Sequence, residues 1–364
     1  MLQRNLSIAM MITFLGCCAP ALGLVQGYTD VSEFSNPVGD WYGMNWDYVF
    51  QTGAGTGVAV GHFSILTANH YSAGTTFTID GDVFQVIGQF TPPADPGQTL
   101  PPDLKVLKVR NTTGTNPLPG YYDINTTPLA DGQDVVLVGT GRTGTAYPTY
   151  YTIDQASPRV KRWGTNEHEE FIRRAVDGAD ANSTPDWSTM TSNMTFARSA
   201  TDYEVGLADS DSGAGVFVND NGDWKLTGLG LYVFTNGIAG RYNQMSAAYL
   251  PDYVDWLTSV TADAYPGDFS MDGSVTQADY TIWADNYGWT GAPGANPADG
   301  NKDGAVTHAD YTIWADYYGQ IDPHLALAFR ESATVGAYAQ IVPEPATAAM
   351  LCIGVLAMLR RRRA

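Results

Sequence analysis

Cysteine is nearly missing. The chain has three among 364 residues, at 17, 18 and 352, so the long stretch between them has no thiols to pair, and no disulfide holds its folded body. Positive charge is scarce too: 19 Lys and Arg stand against 38 Asp and Glu, a formal net charge of −19. A polyanionic partner would meet net repulsion, which disfavours DNA or RNA. Charged residues make up only 16% of the chain against 44% hydrophobic and 12% aromatic, a balance that argues against global disorder. Long apolar runs are confined to the two ends. What the sequence has in quantity is glycine and proline, 39 and 20, which suits many short strands joined by turns. The length predicts two or three domains.

The first residues carry Arg4, an apolar stretch from Ile8 to Leu15, and small residues around Ala19, Ala21 and Gly23. This is the layout of a secretory signal peptide over 1–23, cleaved after Ala21 or Gly23. A lipoprotein signal ending at Cys17 is the competing reading, and Phe14 fits it poorly. The far end reads Val342-Pro-Glu-Pro345, an apolar segment from Ala346 to Leu359, then Arg360 to Arg363. As a helix those apolar residues reach about 21 Å, short of a ~30 Å hydrocarbon core. The arginines favour the cytoplasmic side, leaving the rest outside. These parts, in this order, resemble the PEP-CTERM sorting signal of bacterial exported proteins over 342–364. The resemblance implies a transient membrane anchor, cut by a sorting protease, and a final location at the cell envelope, cell surface or outside the cell. A permanent tail anchor is the alternative.

Asp279-Tyr-Thr-Ile-Trp-Ala-Asp-Asn-Tyr-Gly288 returns 31 residues later as Asp310-Tyr-Thr-Ile-Trp-Ala-Asp-Tyr-Tyr-Gly319, an internal repeat. A twelve-residue loop leads into each copy. Its candidate ligands are Asp268, Ser270, Asp272, Ser274, Thr276 and Asp279 in the first, and Asp299, Asn301, Asp303, Ala305, Thr307 and Asp310 in the second. Oxygen donors at positions one, three, five, nine and twelve, a backbone carbonyl at seven, and Gly273 or Gly304 at six are what a hard cation with six to eight ligands needs. Two Ca²⁺ sites are expected; a plain solvated acidic loop is the bland alternative. Loop followed directly by helix, twice, resembles a type I dockerin over 266–321, with Asp279 and Asp310 at the twelfth position. That resemblance implies a cohesin-like partner. A calcium-stiffened spacer is the other reading, and 322–341 reads as a linker.

Residues 24–260 hold runs such as Gly57-Val-Ala-Val60, Asp134-Val-Val-Leu-Val138 and Gly215-Val-Phe-Val218 bounded by turn formers, which predict strands. A helix is expected over 250–260, with Pro251 in its first turn. Three positions carry chemistry. His70 ends the apolar run Ser64-Ile-Leu-Thr-Ala-Asn-His70, and an imidazole there can act as a base near neutral pH. Ser212 lies in the small-residue turn Leu207-Ala-Asp-Ser-Asp-Ser-Gly-Ala-Gly215, where backbone N–H groups can converge on an oxyanion. Asp103 opens the alternating run Asp103-Leu-Lys-Val-Leu-Lys-Val109 and can orient an imidazole. His62 and His168 have no ligand spacing with His70 and read as structural or surface residues, so a metal hydrolase is the weaker chemistry and no cofactor for catalysis is expected.

Together these segments resemble trypsin-like serine proteases of the chymotrypsin fold. Val138-Gly-Thr-Gly-Arg-Thr143, Trp224-Lys-Leu-Thr-Gly-Leu-Gly230, Gly240-Arg-Tyr242 and the helix with Tyr253-Val-Asp-Trp-Leu257 add matches in order. The resemblance implies a mainly β protein, two six-stranded barrels followed by the small helical calcium unit. It also implies a His70, Asp103 and Ser212 triad, an oxyanion hole from the N–H groups of Ser210 and Ser212, and a protein or peptide substrate. Ser210 departs from the family's glycine and loses its tolerance of positive φ. An inactive homologue that acts as a binding or scaffold protein is therefore the alternative, and Ser210→Gly raises hydrolysis if a distorted hole limits the enzyme. The family's specificity-pocket base falls on Gly206 and its wall near Leu231 to Val233, which predicts an uncharged acyl-side residue, with Glu204 or Asp209 intruding only if the alignment slips. A cut after Gly23 would expose Leu24, whose amine would pair with Asp211 as in activated family members. The polar segment 174–203 reads as an exposed insertion of unassigned role.

Overall fold

The computed structural model describes residues 24–27, 41, 43–79, 81–112, 118–176, 185–197, 200–261, 267–270, 273–291, 296–301 and 303–321. The signal segment 1–23, Asp272, the linker 322–341 and the tail 342–364 lie outside them. The described residues are mainly β, with curled sheets and few helices, consistent with a chymotrypsin-like fold.

The first sheet has six antiparallel strands: β2 (Val49–Thr52), β3 (Gly55–Gly61), β4 (Ser64–Thr67), β5 (Thr76–Ile79), β6 (Asp82–Phe90) and β7 (Lys105–Asn111), in the order β2-β3-β4-β7-β6-β5. Its apolar side chains, among them Ile65, Phe84, Leu107 and Val109, form one core. The second sheet has nine strands. They are β8 (Gln133–Gly139), β9 (Gly144–Ala146), β10 (Tyr151–Ile153), β11 (Arg162–His168), β12 (Glu170–Val176), β13 (Trp187–Thr195), β15 (Gly215–Asp220), β16 (Asp223–Thr235) and β17 (Tyr242–Tyr249). Seven of these follow the order β11-β8-β15-β16-β17-β10-β9, while β13 pairs with β17 and with β12. A short ladder joins β1 (Val25–Gln26) to β14 (Val205–Gly206). A larger apolar cluster runs across both sheets, with Val58, Leu66, Leu104, Val138, Trp163, Phe217 and Leu229 meeting Leu257 and Val260 of α1 (Val254–Thr261). A 3-10 turn over Leu250–Tyr253, with Pro251 at its start, leads into that helix.

The expectation of two six-stranded barrels is corrected for the second sheet, which has nine strands; one of them, β13, lies in the segment read as an exposed insertion, and β12 runs into its start. Strand β13 is largely buried, with Thr189, Thr191, Ser192, Asn193 and Met194 all inside. Its polarity concealed a strand whose side chains find partners internally. The Thr191 hydroxyl donates to the Ile172 carbonyl at 2.7 Å, Ser192 Oγ lies 2.8 Å from His168 Nδ1, and the Ser246 hydroxyl donates to Asn193 Oδ1 at 3.2 Å. Hydrogen-bonded polar groups can be buried at little net cost, so a Ser, Thr and Asn run is compatible with a central strand.

The repeat forms two matched helices, α2 (Gln277–Asn286) and α3 (His308–Tyr317). Thr276 and Thr307 cap them, and Asp279 and Asp310 at the third helical position complete capping boxes. The two halves clasp each other symmetrically: Trp283 Nε1 donates to the Thr307 carbonyl at 2.8 Å and Trp314 Nε1 to the Thr276 carbonyl at 2.7 Å. No helix among the described residues is long and apolar enough to cross a membrane.

Candidate active site

Neighbouring strand ends build the site. Thr67 of β4 is paired with Lys105 of β7, so the residues just past β4 and just before β7 emerge at the same edge. There the Asp103 carboxylate accepts from the His70 backbone N–H at 2.8 Å, and His70 Nδ1 lies 2.5 Å from Asp103 Oδ2. The other ring nitrogen, Nε2, is 2.8 Å from Ser212 Oγ, which the turn between β14 and β15 delivers from the second sheet. The His70 side chain is 19% exposed and that of Asp103 is 0%, an imidazole open to solvent on a fully enclosed carboxylate.

Further side chains hold this row, and the sequence did not point to them. The Tyr232 hydroxyl donates to Asp103 Oδ2 at 2.8 Å, so that oxygen has two partners. Burial, reinforced by the Asp103 charge, pushes the Tyr232 phenol far above its ordinary value, so it stays a donor. The backbone N–H of Asp103 donates to the Thr189 hydroxyl at 2.8 Å, which ties β13 to the site. Trp187, Tyr71 and Tyr232 surround the His70 ring at centroid distances of 6.0, 4.7 and 6.1 Å. Lys105 is buried and donates to the carbonyls of Tyr71 and Asn69, fastening the loop after His70. Desolvation lowers its pKa, and the Asp103 charge opposes that shift. Tyr232 and Thr189 come from strands distant in sequence, and the sequence placed Tyr232 only in the wall of the expected pocket.

The turn around Ser212 has a fixed backbone. Ser210 adopts φ +72°, left-handed, so the residue replacing glycine takes a conformation that favours glycine, at a cost of about 1–2 kcal/mol. The Arg142 N–H donates to the Asp209 carbonyl at 2.8 Å, and because a peptide plane carries its C=O and N–H on opposite sides, the Ser210 N–H faces away from Arg142. Gly213 has φ +94°, and a Cβ there would lie 1.8 Å from the Thr56 carbonyl oxygen; only glycine fits. Asp211 is fully enclosed, its carboxylate accepting from the N–H groups of Gly141 at 2.7 Å and Ala208 at 2.9 Å. Burial pushes its pKa up to about 7, against the opposing pull of those donors, of Arg159 and of the Leu24 backbone. Leu24 is itself buried, and its carbonyl accepts from the Thr143 hydroxyl at 3.0 Å.

Beside Ser212 opens a cavity of about 260 Å³ lined by Leu207, Ala208, Leu231, Val233 and Phe234, with Asp209 among its borders. Gly206 is not part of that lining: it sits in β14, where an added Cβ would meet the Tyr151 ring at 2.3 Å. Glu204 also lies outside the cavity. It is buried, accepting from Asn166 Nδ2 at 3.0 Å and from the Ala197 and Thr201 N–H groups, and desolvation pushes its pKa up to about 7. His168 is buried against Phe171 and Ser192, a structural placement.

In the repeats, the loops close on their carboxylates. Asp268 accepts from the Gly273 N–H at 2.6 Å, and Asp279 from the N–H groups of Ser270 and Thr276, each at 2.7 Å. The second loop repeats this: Asp299 with Gly304 at 3.0 Å, Asp310 with Asn301 at 3.2 Å and Thr307 at 2.7 Å. Asp303 accepts from the Ala305 N–H and from Asn301 Nδ2. Thr276 and Thr307 use their hydroxyls as caps, and Ser274 and Ala305 form isolated bridges with Ile321 and Thr290. Among the described residues no group of three or more His, Cys, Asp or Glu is set to hold a metal ion.

Comparison with known proteins adds one assignment. Residues 342–363 match the PEP-CTERM protein-sorting motif. The chain thus carries a C-terminal signal for export and membrane anchoring of secreted surface proteins, and recognition by a sorting protease is implied. No curated protein matches the chain. Among solved structures it is similar to the inactive form of the Rv3671c protease, at 16% identity and TM-score 0.36, covering 59% of this chain and 87% of that one. A second structure of Rv3671c, from M. tuberculosis H37Rv, gives 16% and 0.35, with 57% and 82% covered. The murine norovirus NS6 protease gives 14% and 0.35, with 56% and 92% covered. At such scores, what the site does rests on the chain's own geometry.

Proposed function

We propose that this protein is an exported serine endopeptidase. The observation that carries the reading is the imidazole of His70 held between two hydrogen-bond distances, 2.5 Å to Asp103 and 2.8 Å to Ser212. In the proposed reaction Ser212 Oγ attacks a peptide carbonyl while His70 Nε2 takes its proton, and the Asp103 carboxylate orients the ring and stabilises the imidazolium. The N–H groups of Ser210 and Ser212 receive the oxyanion. His70 then returns the proton to the leaving amine, the C–N bond breaks, and water repeats the sequence on the acyl enzyme.

The part of the cavity beside Ser212 formed by Leu207, Ala208, Leu231, Val233 and Phe234 favours an uncharged side chain on the acyl side of the cut bond. A competing reading, a homologue that only binds, rests on Ser210 in its left-handed conformation. Against it stand the peptide before Ser210, which the Arg142 N–H holds in one orientation through the Asp209 carbonyl, and the hydrogen-bond distances that link Asp103, His70 and Ser212. A cut after Gly23 would give Leu24, whose backbone already bonds Asp211, a terminal ammonium, adding a positive charge to that of Arg159 at this enclosed carboxyl.

For the repeats the proposal is two Ca²⁺ ions. The donors are all oxygen, and Asp268, Asp279, Asp299 and Asp310 are buried in a stretch, 266–321, whose one Lys or Arg is Lys302. Carboxylates buried together in a stretch with so little basic charge are costly unless a cation compensates them. Asp268, Ser270, Asp272, Ser274, Thr276 and Asp279 would hold one ion; Asp299, Asn301, Asp303, Ala305, Thr307 and Asp310 the other. The unit would then serve as a docking module for a cohesin-like partner.

The test is hydrolysis of a mixed peptide library by the exported protein. Cleavage after uncharged residues, absent in Ser212→Ala, is expected. Cleavage that survives that substitution would rule out the mechanism, and strict cleavage after Arg or Lys would rule out the specificity.

A further inference from the structure

We infer that Arg159 is a positioning residue of the hydrolytic site, clamping the two sheets at their seam so that Thr56 can fix the backbone around Ser210 and Ser212. The inference rests on the serine hydrolase reading.

Arg159 lies half-buried in the segment between β10 and β11. Its Nη1 donates to the Gly53 carbonyl at 2.6 Å, its Nη2 to the Gly55 carbonyl at 2.6 Å, and its Nε to the Thr140 carbonyl at 3.3 Å. Gly53 lies in the turn between β2 and β3 and Gly55 opens β3 of the first sheet, whereas Thr140 follows β8 of the second. One planar guanidinium therefore joins both sheets through three carbonyls, a task suited to a rigid fork of N–H donors and not to a single ammonium. The segment carrying it is fastened too. The Thr143 N–H donates to the Ser157 hydroxyl at 3.0 Å, Arg142 Nη1 to the Ser157 carbonyl at 2.7 Å, and the Val160 N–H to the Gly141 carbonyl at 3.3 Å.

From this seam the contacts lead to the reacting groups in one residue. Thr56 follows Gly55; its N–H donates to the Ser212 carbonyl at 2.9 Å and its hydroxyl to the Ser210 carbonyl at 3.2 Å. The same hydroxyl oxygen lies 2.7 Å from Thr140 Oγ1 and accepts from the Thr140 N–H at 3.2 Å. Ser210, at φ +72° without glycine's freedom, is held by contacts from outside its turn. Arg159 borders neither the substrate cavity nor the row of Asp103, His70 and Ser212. Its loss should loosen the oxyanion donors and leave substrate binding intact, an effect on kcat and not on KM.

The experiment compares steady-state kinetics of the wild type, Arg159→Met and Arg159→Lys on one peptide substrate. Both variants are expected to lose about 10- to 100-fold in kcat, as for misplaced catalytic groups, with KM within about two-fold and the pH dependence of kcat unchanged. Free guanidinium below denaturing concentration should restore part of the loss in Arg159→Met. Wild-type kcat in either variant overturns the inference, and so does a parallel rise of KM without guanidinium rescue. If Arg159→Met fails to fold, Arg159→Lys alone carries the same split. A wild type that hydrolyses nothing sinks the endopeptidase reading instead, so the two failures are distinct.

Discussion

The two-sheet body and the repeat unit both bury carboxylates, and they compensate them differently. In the body each enclosed acid is matched by donors from the same fold. Asp103 has His70 and Tyr232, Asp211 has the Gly141 and Ala208 N–H groups, and Glu204 has Asn166, Ala197 and Thr201. The repeat unit also supplies backbone N–H groups, but it gathers its acids in pairs, Asp268 with Asp279 and Asp299 with Asp310, around loops that have almost no basic residue. The body uses its carboxylates internally to orient an imidazole or fix a turn. In the proposed calcium reading the repeats would instead compensate theirs with a cation from outside, so the two regions should respond to different perturbations.

The largest expected separation is in activity. Replacing His70 or Ser212 by Ala should lower peptide hydrolysis by about 10³-fold or more and leave the calcium response of the repeats unchanged, as followed by Trp283 and Trp314 fluorescence. Next comes metal removal. A chelator should melt α2 and α3, seen as lost helical circular dichroism, while hydrolysis by the body persists; Asp279→Ala or Asp310→Ala should weaken its own site by about ten-fold or more. A chelator without effect on helicity would erase the contrast between the regions.

A smaller effect concerns pH. Burial holds Glu204 and, as long as Leu24 carries no terminal ammonium, Asp211 protonated up to about pH 7 in the folded body, whereas in the unfolded chain such carboxyls ionise near 4. The folded state then binds more protons between those values, so the stability of the body should fall as pH rises from about 4 through about 7. Asp211→Asn should flatten that decline in a series of thermal melts, and a slope equal to wild type would contradict the burial argument. Tyr232→Phe removes one donor to the Asp103 carboxylate and should cost about 10- to 150-fold in kcat, from the ~1.5–3 kcal/mol range of hydrogen bonds to charged groups. The smallest change is expected for Ser210→Gly. It should raise stability by about 1 kcal/mol by relieving the left-handed strain, with kcat within about two-fold because Arg142 already orients the peptide; a large gain in kcat would instead mean a distorted hole in the wild type.

His70, Asp103 and Ser212 stood out in the sequence because each sits at the end of a strand-like run or in a small-residue turn, and strand ends are where a sheet edge gathers side chains. The duplicated loops stood out by their 31-residue period. Less legible was whatever depends on which strands lie side by side. Thr189 reaches the Asp103 N–H only because β13, polar enough to resemble a loop, packs inside the second sheet. Tyr232 was visible only as a wall of the expected pocket, since its donation to Asp103 joins β16 to the head of β7. Gly206 was misplaced by counting back from Ser212, a rule blind to the Tyr151 ring that occupies the space above it.

The most direct measurement is the mass of the intact protein after exposure to a fluorophosphonate, followed by mapping of the modified peptide. A single adduct on Ser212, lost in both Ser212→Ala and His70→Ala, is the predicted result. An unmodified wild-type protein, or an adduct that persists in Ser212→Ala, would contradict the account.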